Sequence, residues 1–116
     1  LDHRWVFAGP SGVILFSENA GLGPSAVLRA PLSLRLNNWF SNLNGIMLGR
    51  NAGRSPDDLN QSQYDDAVAS VLGDLSVPVL MDLDIGHRPP QFTLINGAFA
   101  TVGFDSGRGS VSQRFD

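Results

Sequence analysis

Gly12-Val13-Ile14-Leu15-Phe16-Ser17-Glu18 is an unbroken apolar run that ends on a carboxylate. A strand with one face in water alternates polar and apolar residues. This run does not, which predicts a strand buried on both faces, as in a parallel sheet. The next segment fits that reading. Gly21-Leu22-Gly23-Pro24 breaks the chain, and Pro24 suits the first position of a helix, where an N–H has no helical partner. Leu28, Leu32, Leu36, Trp39, Phe40 and Leu43 then recur at helical spacing and predict an apolar stripe facing a core. Pro31 is expected to kink or divide that helix. Gly45-Ile46-Met47-Leu48-Gly49 reads as a second short buried strand, so the run from residue 12 to 49 is a βαβ unit.

Working outward, Val6-Phe7-Ala8 predicts a strand before the turn at Gly9-Pro10-Ser11-Gly12. Residues 51–60 are polar, with Gly53 and Pro56, and predict a loop. Tyr64, Ala67, Val68, Val71, Leu72 and Leu75 mark an amphipathic helix ending near Gly73-Asp74. Val77-Pro78-Val79-Leu80-Met81 predicts a strand. Residues 92–95, 98–104 and 110–115 alternate as strands do, with turns at Asn96-Gly97 and residues 106–109. The fold class is therefore mixed α/β, with βαβ units early, hairpins late and two main helical segments.

The chain has 116 residues, enough for one domain with a core of its own, over residues 1–116. It has no cysteine, which excludes disulfides, cysteine nucleophiles and thiolate zinc sites. A net charge of −3 with no basic run excludes the electrostatic footprint of a nucleic-acid binder. No apolar run approaches the ~20 residues of a helical membrane span. Neither metal nor cofactor is expected. The chain opens without Met and runs almost at once into strand-like sequence, which suggests a piece of a longer protein.

Two residues stand out as candidates for chemistry. Glu18, the chain's one glutamate, ends an apolar strand, and α/β folds place reacting groups at strand ends. A solvated loop carboxylate fits the same position. His87 follows Gly86 and precedes Arg88-Pro89-Pro90, a stiffened loop past a strand. It suits a proton shuttle, and equally a histidine bonded to loop backbone. Asp82 and Asp84 near His87 invite a metal reading, but no further histidine completes a ligand set, since His3 is distant in sequence. Gly107-Arg108-Gly109-Ser110 is too short for a phosphate loop, and neither Ser11 nor Ser106 has nucleophile-elbow surroundings.

In order and spacing, four passages resemble the C-terminal half of the LD-carboxypeptidases. These are serine peptidases that include muramoyl-tetrapeptide carboxypeptidase and the microcin-immunity peptidases. The passages are residues 12–18, the helix opening at residues 24–29, the strand at residues 45–49, and Val77-Pro78-Val79 leading to Gly86-His87. The resemblance runs from about Trp5 to Phe104. It implies a swivelling C-terminal domain that supplies the Glu and His of a Ser-Glu-His triad, with Glu18 and His87 together at one edge of the sheet. It also implies a serine-bearing N-terminal domain absent from this chain, a cytoplasmic enzyme of peptidoglycan recycling, and a homodimer. The expected substrate is the L,D-peptide bond of a murein tetrapeptide. A peptidyl-nucleotide linkage is the alternative, and a non-catalytic binding or scaffold domain is the reading outside enzymology. The family often carries a second acidic residue after the glutamate, and Asn19 stands there instead.

Overall fold

Parallel strands need long crossovers, and the chain supplies a helix for each. The computed structural model describes residues 12–18, 24–50 and 61–114. They form β1 (Val13–Ser17), α1 (Pro24–Leu36), β2 (Leu43–Gly49), α2 (Gln61–Leu72), β3 (Val79–Leu83), β4 (Phe99–Asp105) and β5 (Arg108–Arg114). The first three strands make a parallel sheet in the order β1-β2-β3, and β4 and β5 make a separate antiparallel pair. The architecture is the expected mixed α/β, with parallel and antiparallel strands in two sheets. Strand order follows chain order, so right-handed crossovers put both helices on one face. No helix among the described residues is long and apolar enough to cross a membrane.

The core lies under α2. Ile46 of β2 is buried among Tyr64, Val68, Val71 and Leu72, with Phe40, Leu43, Val79 and Met81 packed around them. On the opposite face Met47, also buried, opens with Leu80 onto a cleft whose far wall includes Val102 and Val111 of the hairpin. β2 is therefore covered on both sides, as its unbroken apolar sequence predicts. β1 is not. Among the described residues it is hydrogen-bonded along one edge, to β2, and its Phe16 is 37% exposed.

Helix α1 starts at Pro24 and contains Pro31 without being divided by it. Its periodic pattern runs on to Leu43 in sequence, but the helix stops at Leu36. Asn38 adopts a left-handed φ of 63°. Asn38 N then donates to Arg35 O and Trp39 N to Leu34 O, a pair of bonds that closes a helix C-terminus. The leucine stripe is the main departure from expectation. Leu28, Leu32 and Leu36 are exposed, and the core takes Phe40 and Leu43 from beyond the helix. The helix is tied to α2 at its C-terminal end, where Arg35 makes two 2.7 Å bonds to the Asp74 carboxylate and one of 2.6 Å to Val71 O. That pairing holds the Asp74 carboxyl below its ordinary range.

The strand expected at residues 92–95 does not form. Ile95 instead exchanges both backbone bonds with the side-chain amide of Gln113, each 2.9 Å long. A side chain has thus taken the place of a neighbouring strand. The hairpin turns through Ser106 and Gly107 with φ of 50° and 78°, the double positive φ that suits tight two-residue hairpins. The strand expected at residues 6–8 and the loop at residues 51–60 lie outside the described residues, as do His3, Ser11 and Asn19.

Tyr64 gives the core a titratable reporter. Burial pushes its phenol up, and the negative charges of Asp82 and Asp65 push it further. An unfolded chain ionises near the ordinary tyrosine pKa of ~10. Stability is therefore full below that pH and falls as pH rises toward the raised folded value. The chain has one tyrosine, so tyrosinate absorbance reads Tyr64 alone. The titration midpoint is expected above that of the urea-unfolded chain, and Tyr64→Phe is expected to remove this share of the alkaline loss of stability.

Candidate active site

The C-terminal ends of three parallel strands meet at one edge of the sheet, and each contributes to one cluster. Glu18 is the residue after β1, Gly49 ends β2, and the segment after β3 carries Gly86 and His87. The register that pairs Ser17 with Leu48, and Gly49 with Leu83, brings these ends level. Glu18 Oε2 lies 3.0 Å from His87 Nδ1 across 69 positions of sequence. The structure thus brings together the two residues singled out in sequence.

Glycine makes room for the carboxylate. A Cβ on Gly49 would come within 3.0 Å of the Glu18 Cβ and within 2.3 Å of Ile85 O. A Cβ on Gly86 would meet Glu18 Oε2 at 2.8 Å, and Gly86 has a φ of +107° that side-chain-bearing residues rarely adopt. The Glu18 side chain lies in the space these two residues leave, 27% exposed, while His87 is 66% exposed.

The pairing decides which imidazole nitrogen is available. An ionised carboxylate can only accept, so the neutral ring donates through Nδ1. Nε2 then carries the lone pair of the neutral ring. This arrangement can take up a proton at Nε2 and hold the resulting positive charge against Glu18. The bond is exposed, and a surface ion pair contributes only ~0–1 kcal/mol. Its geometry is therefore set by the backbone on either side more than by its own attraction.

The metal reading fares differently. Asp84 directs its carboxylate at Arg50 Nη2, 3.0 Å away. Asp82 has a φ of 58°, beside the irregular register of β2 and β3, so regular strand alternation does not link the two aspartates. No group of three His, Asp or Glu side chains among the described residues is arranged to hold a metal ion. Ser106 sits in the hairpin turn with Oγ 3.1 Å from Asp105 Oδ1. Sequence reasoning missed the spacing role of Gly49 and the reach of Arg50. Their one signal is that Gly49-Arg50 closes the second buried strand.

Comparison with known proteins identifies the family. The model of the LD-carboxypeptidase C-terminal domain matches residues 2–102. The microcin C7 self-immunity protein MccF of Escherichia coli is 27% identical over 112 residues, which make up 97% of this chain and 32% of that protein. The chain thus spans about a third of that relative's length. A solved structure of a mutant of this immunity protein, in complex with adenosine monophosphate, aligns with a TM-score of 0.50. The alignment has 26% identity over 61% of this chain and 21% of that one.

Gly86→Ala adds a methyl group where Glu18 Oε2 stands and imposes a side chain on a positive φ. It is expected to separate Glu18 from His87 and to lower stability by at least ~1 kcal/mol. A crystal structure of the variant with chemical denaturation checks both. An unchanged 3.0 Å contact would show that the slot is not set by the missing Cβ.

Proposed function

The chain belongs to the LD-carboxypeptidase C-terminal domain family, and from that premise we propose that it supplies the glutamate and histidine of a Ser-Glu-His triad. The observation that carries this reading is the 3.0 Å bond between Glu18 Oε2 and His87 Nδ1 at the strand ends, on an exposed imidazole. In the proposed mechanism the serine belongs to a domain outside this chain. Nε2 takes the proton from its hydroxyl as the oxygen attacks the scissile carbonyl, and returns it to the leaving amine as the acyl-enzyme forms. Water then repeats the sequence to release the acid. Glu18 fixes the tautomer and stabilises the imidazolium.

The proposed reaction is hydrolysis of the bond between an L-centre and a terminal D-amino acid in murein tetrapeptides, in the cytoplasm, by a homodimeric enzyme. A second reading has support of its own. The immunity protein to which the chain is similar was solved with adenosine monophosphate, which favours a peptidyl-nucleotide as substrate.

The test uses the full-length protein. Release of D-alanine from a murein tetrapeptide, against release of a nucleotide-bearing product from a peptidyl-nucleotide, separates the two substrates. Glu18→Gln is expected to lower kcat by on the order of 10⁴-fold through loss of the correct tautomer, and His87→Ala at least as much. The chain by itself is expected to turn over neither substrate. Turnover by the isolated chain, abolished by His87→Ala, would place the nucleophile within it and overturn the domain assignment.

A further inference from the structure

The His87–Glu18 bond is too exposed to hold its own geometry, and what holds it is visible beneath the loop. Arg50 follows β2 directly, and its backbone N donates to Leu83 O at 3.2 Å, carrying the strand pairing one residue past Gly49. This fixes the arginine opposite the end of β3, just where the chain leaves the sheet toward His87. Its Nη2 then donates to Arg88 O at 2.8 Å and to Pro90 O, and lies 3.0 Å from Asp84 Oδ1. The three acceptors come from residues 84, 88 and 90, so they bracket His87 on both sides. Phe92 N closes the base of the loop on Asp84 O at 2.8 Å.

The arrangement is costly, which argues that it is more than a surface contact. The Arg50 side chain is only 20% exposed, and among the described residues its buried Nε finds no acceptor. An unsatisfied donor on a buried charged group is unfavourable, so the bonds made by Nη2 must offset it. Those bonds go to main-chain carbonyls of the loop that carries the imidazole. We propose that Arg50 is a positioning residue: its guanidinium holds the 84–90 loop in the conformation that puts His87 on Glu18. Its Nη2 bonds go to the loop's carbonyls and to Asp84, and through them it acts on the backbone that carries His87. The proposal deepens the triad reading and rests on it for the catalytic consequence.

The single-nitrogen contact gives the test its discriminating variant. Arginine and lysine are not interchangeable where both arms of the fork bind. Here one nitrogen meets all three acceptors, and a lysine ammonium with its three hydrogens can replace it in part. In the full-length protein, Arg50→Met is expected to lower kcat on the order of 10²-fold with KM unchanged, the size of loss typical of a misplaced reacting group. Arg50→Lys should recover most of it. Asp84→Asn, which weakens the clamp from the loop side, should give a smaller loss and covers the case in which Arg50→Met fails to fold. Histidine labelled with ring ¹⁵N supplies a readout independent of turnover. Arg50→Met should convert the His87 signal from a fixed Nδ1–H tautomer to the exchanging signal of a free imidazole. An unchanged His87 signal in a folded Arg50→Met variant overturns the positioning role, and so does a rise in KM with kcat intact. If the wild-type enzyme hydrolyses neither substrate, the functional reading fails, and the ¹⁵N signal alone decides the role of Arg50.

Discussion

Strand β2 is hydrogen-bonded along both edges and covered on both faces, and everything else described is placed by it. Ile46 anchors α2 on one side and Met47 faces the hairpin on the other. The pairing is parallel on both edges, so the ends of β1, β2 and β3 point the same way and finish level. A parallel sheet of this kind does not hold a site in its interior. It brings loops together at its C-terminal edge, and residues distant in sequence become neighbours there. The separation of 69 positions from Glu18 to His87 is spanned by that constraint.

The local sequence then adjusts distances within the edge. Gly49 and Gly86 leave the width of a carboxylate, and Arg50 supplies a donor where the loop after β3 needs one. A Glu–His pair this exposed is worth little energetically, so natural attraction between the two groups cannot select the conformation against the entropy of a loop. Backbone geometry must do so. The same logic accounts for the two glycines and the arginine placed around the pair.

The parts legible in sequence were those in which local chemistry and tertiary context agree. The apolar run at residues 45–49 and the amphipathic pattern around Tyr64 and Val68 formed the strand and helix they predict. Pro24 opened a helix, and the turns around Gly97 and Gly107 formed with positive φ. Departures arose where context decided. Residues 13–17 resemble 45–49 in composition, but among the described residues β1 has a neighbour on one edge and β2 on both. Leu28, Leu32 and Leu36 keep helical spacing, yet periodicity shows which residues share a face and not what covers it. The alternating segment at residues 92–95 was diverted by Gln113, a long-range bond that no local pattern contains. In the site, residue type and strand-end position marked Glu18 and His87, and the ordered resemblance joined them. The contacts of Arg50 with carbonyls depend on backbone positions, so composition carries no trace of them.

His87 is 66% exposed, and a proton shuttle working through Nε2 would face bulk water in that setting. Water at the imidazole competes for the lone pair and screens the charge that Glu18 is placed to stabilise, whereas a drier site strengthens both effects. The proposed triad, assembled from two surfaces, would resolve the conflict, because the surface that brings the serine would also remove the water. On this view the openness of the pair is a requirement of the chemistry. The edge must admit a second surface carrying the nucleophile, yet hold the imidazole still before that surface arrives. Attraction between Glu18 and His87 is too weak in water to meet the second demand, and the proposed Arg50 clamp would meet it through the loop backbone.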